Sequence, residues 1–447
     1  MPKQMALFVF ALFIAWLFMR DRKLRPMSST ALWIPLLWIF ITGSRPFSLW
    51  FGADMNIASP EDYIEGSPFD RYVFLFLIAA AFMVLLRRRV NPVRLTAGSL
   101  WLALFFIYCL ISVAWSDYPF VSFKRWIKDV GNVAMILVVL TEADPLGAVR
   151  AVFARCTYLA VPLSVLFIKY YPDIGRYYNR WTWEPSYCGV ATEKNALGTI
   201  ALVCGIFLVW DFVETRASGG LKGGKLDFAG RVVLVLMVAW LLMMSHSSTS
   251  TVCLLIGAGI VVAVRLRPFK RRLPRLGTYS LALCFFIFLL YISPDLLQMF
   301  TGAVGRNATF TGRTGIWADL LQEHTDPLVG TGYQSFWLGA GAERMWQKYY
   351  FHPNQAHNGY LETYLNEGLI GLGLLLAAIV STGNRLKGEM MKDSGLAILC
   401  YSFFIVALIS NMTEATFNRL GLIWIIFLLA AVTYPPRRKQ LREGVPA

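Results

Sequence analysis

The sequence predicts an all-α polytopic membrane protein with about 12–13 transmembrane helices and one large extracytoplasmic helical loop domain. Three observations carry this. The 447 residues are 57% hydrophobic and only 15% charged, too apolar for a water-soluble chain of this length. The apolar residues are gathered into blocks separated by short basic or turn-rich connections. One stretch, from Ser293 to Gly368, stays largely polar and holds three of the four histidines.

The blocks lie near 5–19, 31–50, 70–86, 97–114, 129–141, 151–168, 190–210, 231–244, 251–264, 278–292, 369–382, 396–410 and 420–433. A straight span needs about 20 residues, so flanking aromatics must complete the shorter blocks. The first block follows MPKQ and precedes RDRK, with no small-residue cleavage site, and reads as an uncleaved anchor. Residues 1–292 read as an N-terminal transmembrane bundle of about ten spans, 293–368 as an extracytoplasmic loop domain, and 369–447 as the C-terminal helices and a cytoplasmic tail. SGGLKGGK reads as a linker.

The net charge is +15, and its distribution gives orientation. The connections at 20–30, 87–96, 142–150, 211–231, 265–277 and 383–395, with the tail from Tyr434, carry 26 Lys and Arg; the alternate set carries 15. The positive-inside rule puts the first set in the cytoplasm and the long polar stretch outside. No basic face with interleaved aromatics stands out, so nucleic acid is not expected as a partner. The seven cysteines include no C-x-x-C pair, and all but Cys188 lie in apolar runs. Neither a disulfide framework nor a zinc site is expected.

The strongest local pattern is HPNQAHNGYLETYLNEGLIGLGLLL. Pro353 and Asn354 suit a turn, helical spacing runs from Ala356 to Glu367, and Gly368 begins a Gly-punctuated span. On that helix His357, Tyr360, Leu361 and Tyr364 share one face, and Asn358, Glu362 and Asn366 the next. His357 would stand in the first turn, where the positive end of the helix dipole favours a neutral ring able to take a hydroxyl proton. The same spacing suits a helix-capping histidine. His352 and His357 miss the i, i+4 spacing of a helical metal pair. In TGRTGIWADLLQEHTDPLVGTGYQSFW, Thr311 and Gly312 read as the cap of a helix from Arg313 to Glu323, followed by a turn at Asp326, Pro327, Gly330 and Gly332. Arg313 suits a phosphate or diphosphate contact at a helix start, or a salt bridge to Asp319 or Glu323.

The ordered set GRTGIW, VGTGYQSFW and HNGYLETYLNEGLIGLGLL resembles the bacterial O-antigen ligase and polymerase superfamily. WSDYPFVSFKRW and GVATEKNALG agree with it in order, and SRPFSLW and TEATF are weaker points of similarity seen mostly in exopolysaccharide members. The resemblance implies an enzyme of the bacterial inner membrane, with its active site facing the periplasm. Such an enzyme moves a glycan from undecaprenyl diphosphate to a sugar hydroxyl on a glycan or lipid-linked acceptor, without cofactor or metal. Carried over by motif, His357 is the general base and Arg313 the diphosphate contact, both catalytic. Lys194, Asn195, Tyr333, Asn358 and Glu362 bind substrate, Lys194 as a second cation. Membrane lipids and other polysaccharide export components are the further partners. Many ligases carry an Arg where this chain has SHSSTSTV, and a hydroxyl does not replace a guanidinium; this favours a polymerase of repeat units over a ligase joining finished glycan to lipid A core. A non-enzymatic transporter is the remaining alternative. Against it, no span shows a charge pair, and the halves do not repeat.

Overall fold

A computed structural model describes residues 1–24, 29–52, 67–91, 98–178, 184–217, 219, 224–266, 311–323, 325–349, 352–392 and 394–433, with backbone alone at 311–314. Within these residues the chain is helical, apart from one two-stranded antiparallel ribbon, β1 (Arg176–Tyr178) with β2 (Pro185–Tyr187). The helices are α1 (Lys3–Leu24), α2 (Trp33–Gly43), α3 (Pro68–Arg87), α4 (Leu100–Ser112), α5 (Pro119–Leu140), α6 (Pro145–Tyr170) and α7 (Lys194–Ala217). They continue with α8 (Gly224–Ser245), α9 (Ser248–Arg265), α10 (Thr311–Gln322), α11 (Ala340–Lys348), α12 (Gly359–Met391), α13 (Gly395–Thr413) and α14 (Leu422–Ala431). Twelve of the thirteen apolar blocks fall on these helices. The block at 278–292 lies outside the described residues, as do His324 and Cys284. Among the described residues eight helices are long and apolar enough to cross a membrane, and α2, α4 and α14 belong to a shorter apolar class. The fold class is therefore the all-α polytopic one expected from the sequence.

Two departures have local causes. The block at 31–50 is not one helix: α2 stops at Gly43, and a single turn at Phe47–Trp50 follows. Pro46 disfavours helical backbone at the residue before it. Arg45 there donates to the carbonyls of Val190 (3.0 Å), Gly189 (2.9 Å), Ala191 (2.9 Å) and Ile174 (3.1 Å). The second departure is a buried charge pair absent from the sequence reading. Arg155 Nε of α6 lies 2.8 Å from Asp21 Oδ2 of α1, and both side chains are buried. The partners are 134 residues apart, so no local pattern announces them.

That pair belongs to one end of the bundle, where Arg20 meets Asp227, Arg88 meets Glu142, Arg265 meets Glu214, and Arg150 and Arg231 both meet Asp211 at 2.8 Å. These are the connections that carry the basic excess. The other end gathers Arg45, the β-ribbon and the polar loop unit. Between them sits an apolar core in which α13 and α14 are buried along nearly their whole length. One polar knot crosses it. Asp129 of α5 accepts from Asn132 Nδ2 (3.0 Å), Trp424 Nε1 (2.5 Å) and the Tyr333 hydroxyl (3.0 Å), while Trp38 Nε1 donates to Asn132 Oδ1 (2.7 Å). A buried carboxyl is tolerated when it is hydrogen-bonded in this way.

The polar unit has its own small core of Ile316, Leu320, Phe336, Trp337, Met345 and Leu365, with Trp317 packed against it. It joins the bundle through a break in α12. Gly368 has φ 65° and ψ −165°, which frees the carbonyls of Leu365 and Asn366 and the N–H groups of Leu369 and Ile370. The segment from Pro327 to Gly332 supplies all four missing partners. Thr331 and Gly332 N–H donate to Leu365 and Asn366 at 3.1 and 2.8 Å, and Leu369 and Ile370 N–H donate to Pro327 and Leu328 at 2.9 and 3.1 Å. The loop replaces the missing helical bonds one for one.

This contact predicts the effect of a methyl group. A Cβ at Gly368 would stand 2.2 Å from the Leu328 backbone, in a conformation essentially confined to glycine and costing other residues about 1–3 kcal/mol before any clash. Gly368→Ala should sharply lower the yield and melting temperature of detergent-purified protein. Gly373→Ala, where a Cβ meets nothing within 4 Å, should leave both unchanged or slightly improved.

Candidate active site

Three segments distant in sequence converge on His357. The first is its own turn, Pro353 to Asn358, which leads into α12. Asn358 is the N-cap, its Oδ1 accepting from Tyr360 N (3.0 Å) and Leu361 N (3.2 Å). The helix therefore starts at Gly359, and His357 precedes the cap rather than occupying the first turn expected from its spacing. The reason is that Asn358 is the better cap: its short carbonyl side chain reaches back to open N–H groups. His357 instead takes φ 50°, an uncommon backbone for a residue with a side chain.

The second segment is the end of α13. Glu414 Oε2 lies 2.8 Å from His357 Nδ1, and the two side chains are 24% and 29% exposed. A carboxylate on Nδ1 fixes that nitrogen as the proton donor and leaves Nε2 as the basic atom. Glu414 was named in the sequence only within TEATF, without a role. The signal available was an acid directly after a span that ends at the same face as the histidine turn.

The third segment leads into α7. Asn195 Nδ2 donates to Glu414 Oε1 (3.4 Å), and Gln355 Nε2 to Glu414 Oε2 (3.4 Å). Glu193 is part of the same group: partial withdrawal from water and then the nearby Glu414 push its carboxyl above the usual range, while His357 pulls it down. Lys194 starts α7 with an exposed side chain. Arg45, through the carbonyls of Gly189 to Ala191, holds this segment in place.

Beneath the dyad a second network stiffens the histidine turn. Glu362 accepts from Trp337 Nε1 (3.1 Å), Ala356 N (2.8 Å) and Arg419 Nη2 (2.7 Å), and Arg419 Nη2 also donates to Asn354 O (3.1 Å). Tyr333 is almost fully buried and reaches the bundle through Asp129. Gln334, with φ 49°, donates to the Tyr333 hydroxyl and to the Asn418 carbonyl. His352, also at φ 47°, stacks on Trp346 at 5.4 Å. Such uncommon backbones tend to gather at functional sites.

Arg313 is the third residue of α10; the helix begins two residues earlier than its cap reading suggested, and the Arg313 side chain lies outside the described residues. The two acids considered as its anchors are engaged with α11 and the residue after it. Asp319 pairs with Lys348 Nζ and the Tyr349 hydroxyl, each at 2.6 Å, and Glu323 with Arg344 at 2.7 Å. These bonds hold the Asp319 carboxyl below its ordinary range and push the Tyr349 hydroxyl up to about 12. Of the expected site residues, the structure brings His357 and Asn195 together through Glu414, with Asn358 and Glu362 shaping the turn. Among the described residues no three His, Cys, Asp or Glu side chains converge as a metal site requires.

Next to this group opens a cavity of about 660 Å³, to which Thr192, Gln334, Glu362 and Arg419 contribute. The His357–Glu414 pair adjoins this cavity through Glu362 and Arg419, which line it and hold the histidine turn.

Residues 232–376 match the family model described as O-antigen ligase. Over 368 residues the chain is 27% identical to the exopolysaccharide production protein ExoQ of Rhizobium meliloti (strain 1021), covering 78% of this chain and 81% of that protein. The family match spans the loop and the helix break, and the similarity to ExoQ runs through most of the bundle: the chain is similar to members of the O-antigen ligase/polymerase superfamily.

Proposed function

We propose that the protein is a glycosyltransferase that takes a glycan from undecaprenyl diphosphate and joins it to a sugar hydroxyl, polymerising exopolysaccharide or O-antigen repeat units. The observation that carries this is the His357–Glu414 pair, with Nδ1 to Oε2 at 2.8 Å, beside a cavity able to take a lipid-linked sugar. His357 Nε2 removes the proton from the acceptor hydroxyl, and the oxygen attacks the anomeric carbon. The bond from that carbon to the diphosphate breaks, the electron pair leaves with the diphosphate, and the configuration inverts. Glu414 keeps the ring oriented and stabilises the imidazolium that forms. A diphosphate is a good leaving group, so the step calls for cations rather than a proton donor. Arg313 is the proposed diphosphate contact from the loop side, with Lys194 a further cation at the rim. Tyr333, Asn358 and Glu362 act by positioning the turn and the loop. The similarity to an exopolysaccharide production protein supports exopolysaccharide as the product class.

The basic excess at the ion-paired end supports a cytoplasmic position for that end and a periplasmic one for the site, in the bacterial inner membrane. Cysteines introduced at exposed positions of the loop unit, such as Glu343, should react in intact spheroplasts with an impermeant thiol reagent. One at Lys387 should react only after lysis, and the reverse pattern would remove the proposed donor side.

His357→Ala should reduce glycan transfer by about 10²–10⁴ with unchanged protein in the membrane. His357→Gln should be almost as inactive, because it cannot take the proton. Glu414→Gln should keep a residual activity above both, with an altered pH profile, while His352→Ala retains much more. The readout is glycan chain length in complemented cells. Trapped single repeat units indicate a polymerase, and complete but unattached chains a ligase. Normal chains from His357→Gln would reject the base.

Arg313→Ala and Arg313→Lys should both lose most activity, since an ammonium does not reproduce a bidentate contact. Near-normal glycan from Arg313→Lys would make Arg313 a general charge instead. Lys194→Ala should be milder.

A further inference from the structure

Resting on the glycosyl-transfer reading above, we propose that a sugar ring of the reacting glycan is selected in the cavity by the Asn418 carboxamide, the Glu367 carboxyl and the Ser44 hydroxyl. These three side chains recognise hydroxyl groups and take no part in the proton transfer.

The starting observation is where hydrogen bonds are missing. At the opposite end of the bundle, the orphaned atoms of Arg150, Asp211, Asp227, Arg231 and Arg265 all belong to ion pairs. Apart from these, five side chains among the described residues bury a polar atom that meets no hydrogen-bond partner: Ser44, Trp50, Glu367, Asn411 and Asn418. Three of the five, Ser44, Glu367 and Asn418, line the cavity beside the His357 turn. Their exposures are only 8%, 1% and 5%. A buried polar group without a partner is costly and rare in native proteins, so three around one cavity mark the place of a polar ligand.

The backbone around them supports the same conclusion. Glu367 immediately precedes the α12 break at Gly368, and Asn418 lies in the connection between α13 and α14. Gln334 joins the two. Its side chain donates to the Asn418 carbonyl, and its backbone N–H faces the Glu367 carboxyl without closing a hydrogen bond. Gln334 and Asn418 hold φ at 49° and 58°, an uncommon backbone that costs stability and gathers at functional sites. The connection that carries Asn418 also brings Glu414 to His357 and Arg419 to Glu362. A ring held by Asn418 is therefore placed by the same few residues that place the base.

The chemistry of the groups defines the ligand. A carboxyl, a carboxamide and a hydroxyl each accept a hydrogen bond from a hydroxyl group. The Glu362 and Asp129 carboxyls act on Glu367 electrostatically, so this part of the cavity disfavours an anion and favours a neutral polyol. Trp337 and Phe417 add aromatic surface to the lining. Apolar surface with a few placed polar groups suits a molecule that has hydroxyls on its rim and C–H groups on its faces, which is a sugar ring.

The test uses the full-length protein in phosphatidylcholine nanodiscs and two probes prepared from cells lacking the gene. One is their lipid-linked repeat unit; the other is the same oligosaccharide freed of lipid and diphosphate by mild acid, which has lost its leaving group and can serve only as acceptor. Glu367→Met keeps the side-chain volume, and Asn418→Gly keeps the left-handed backbone, while each removes a polar group. Both should weaken binding of the free oligosaccharide, measured by calorimetry, about tenfold. Their melting temperatures should stay the same or rise, because an unpartnered buried group is gone. Normal binding of the free oligosaccharide with a KM for the lipid-linked unit raised about tenfold supports the site and assigns the ring to the donor. Unchanged affinity and KM in both variants overturn the assignment, as does a lowered melting temperature with unchanged affinity, which would make the groups structural. Oligosaccharide binding by the unaltered protein without chain elongation would remove the proposed reaction and leave the sugar site standing.

Discussion

The break in α12 at Gly368 is the constraint on which the rest of the site depends. Interrupting a helix exposes two carbonyls and two N–H groups that must find partners elsewhere. Here another piece of chain satisfies them, and that piece is the turn DPLVGTG. Once the turn is locked into the helix, its continuation has few options. Tyr333 is delivered to Asp129, Phe336 N to Asn366 Oδ1 at 3.0 Å, and Trp337 to Glu362. Glu362 in turn holds the backbone of Ala356, the residue before the histidine. A break in helical hydrogen bonding is thus converted into the placement of one imidazole.

The fold was legible in the sequence because membrane helices announce themselves through length and hydropathy, and basic loops through their spacing. What hydropathy does not encode is partnership across distance. The α1–α6 pair of Asp21 and Arg155 reads as two unrelated residues, and the stop at Gly43 is visible only through Pro46. For the site, the motif around His357 pointed to the turn that Glu414 and Glu362 hold, but spacing alone put the histidine inside the helix rather than before its cap. The competition between His357 and Asn358 for the cap is a matter of side-chain reach, which periodicity does not rank. Glu414 was hidden for a different reason. A carboxylate after a span looks like an ordinary interfacial residue until the structure shows which histidine it faces.

The arrangement also explains why the two ends of the bundle look so different. One end is tied by direct ion pairs between connections and contains little empty space. The other is held mainly by side chains gripping backbone carbonyls, as Arg45 grips Gly189 to Ala191 and Arg419 grips Asn354. Such contacts fix the path of a loop while leaving its side chains available for chemistry.

The knot around Asp129 has a consequence for biosynthesis. Two of its three hydrogen-bond donors come from residues far downstream, Tyr333 by 204 positions and Trp424 by 295. At the usual pace of synthesis, about 5–20 residues per second, the last donor emerges roughly 15–60 s after the carboxyl does. Until then α5 enters the membrane with an acid supported from its own helix by Asn132 alone. The knot is therefore complete only once the last helix arrives, so the final packing around Asp129 is a late step in the making of the chain.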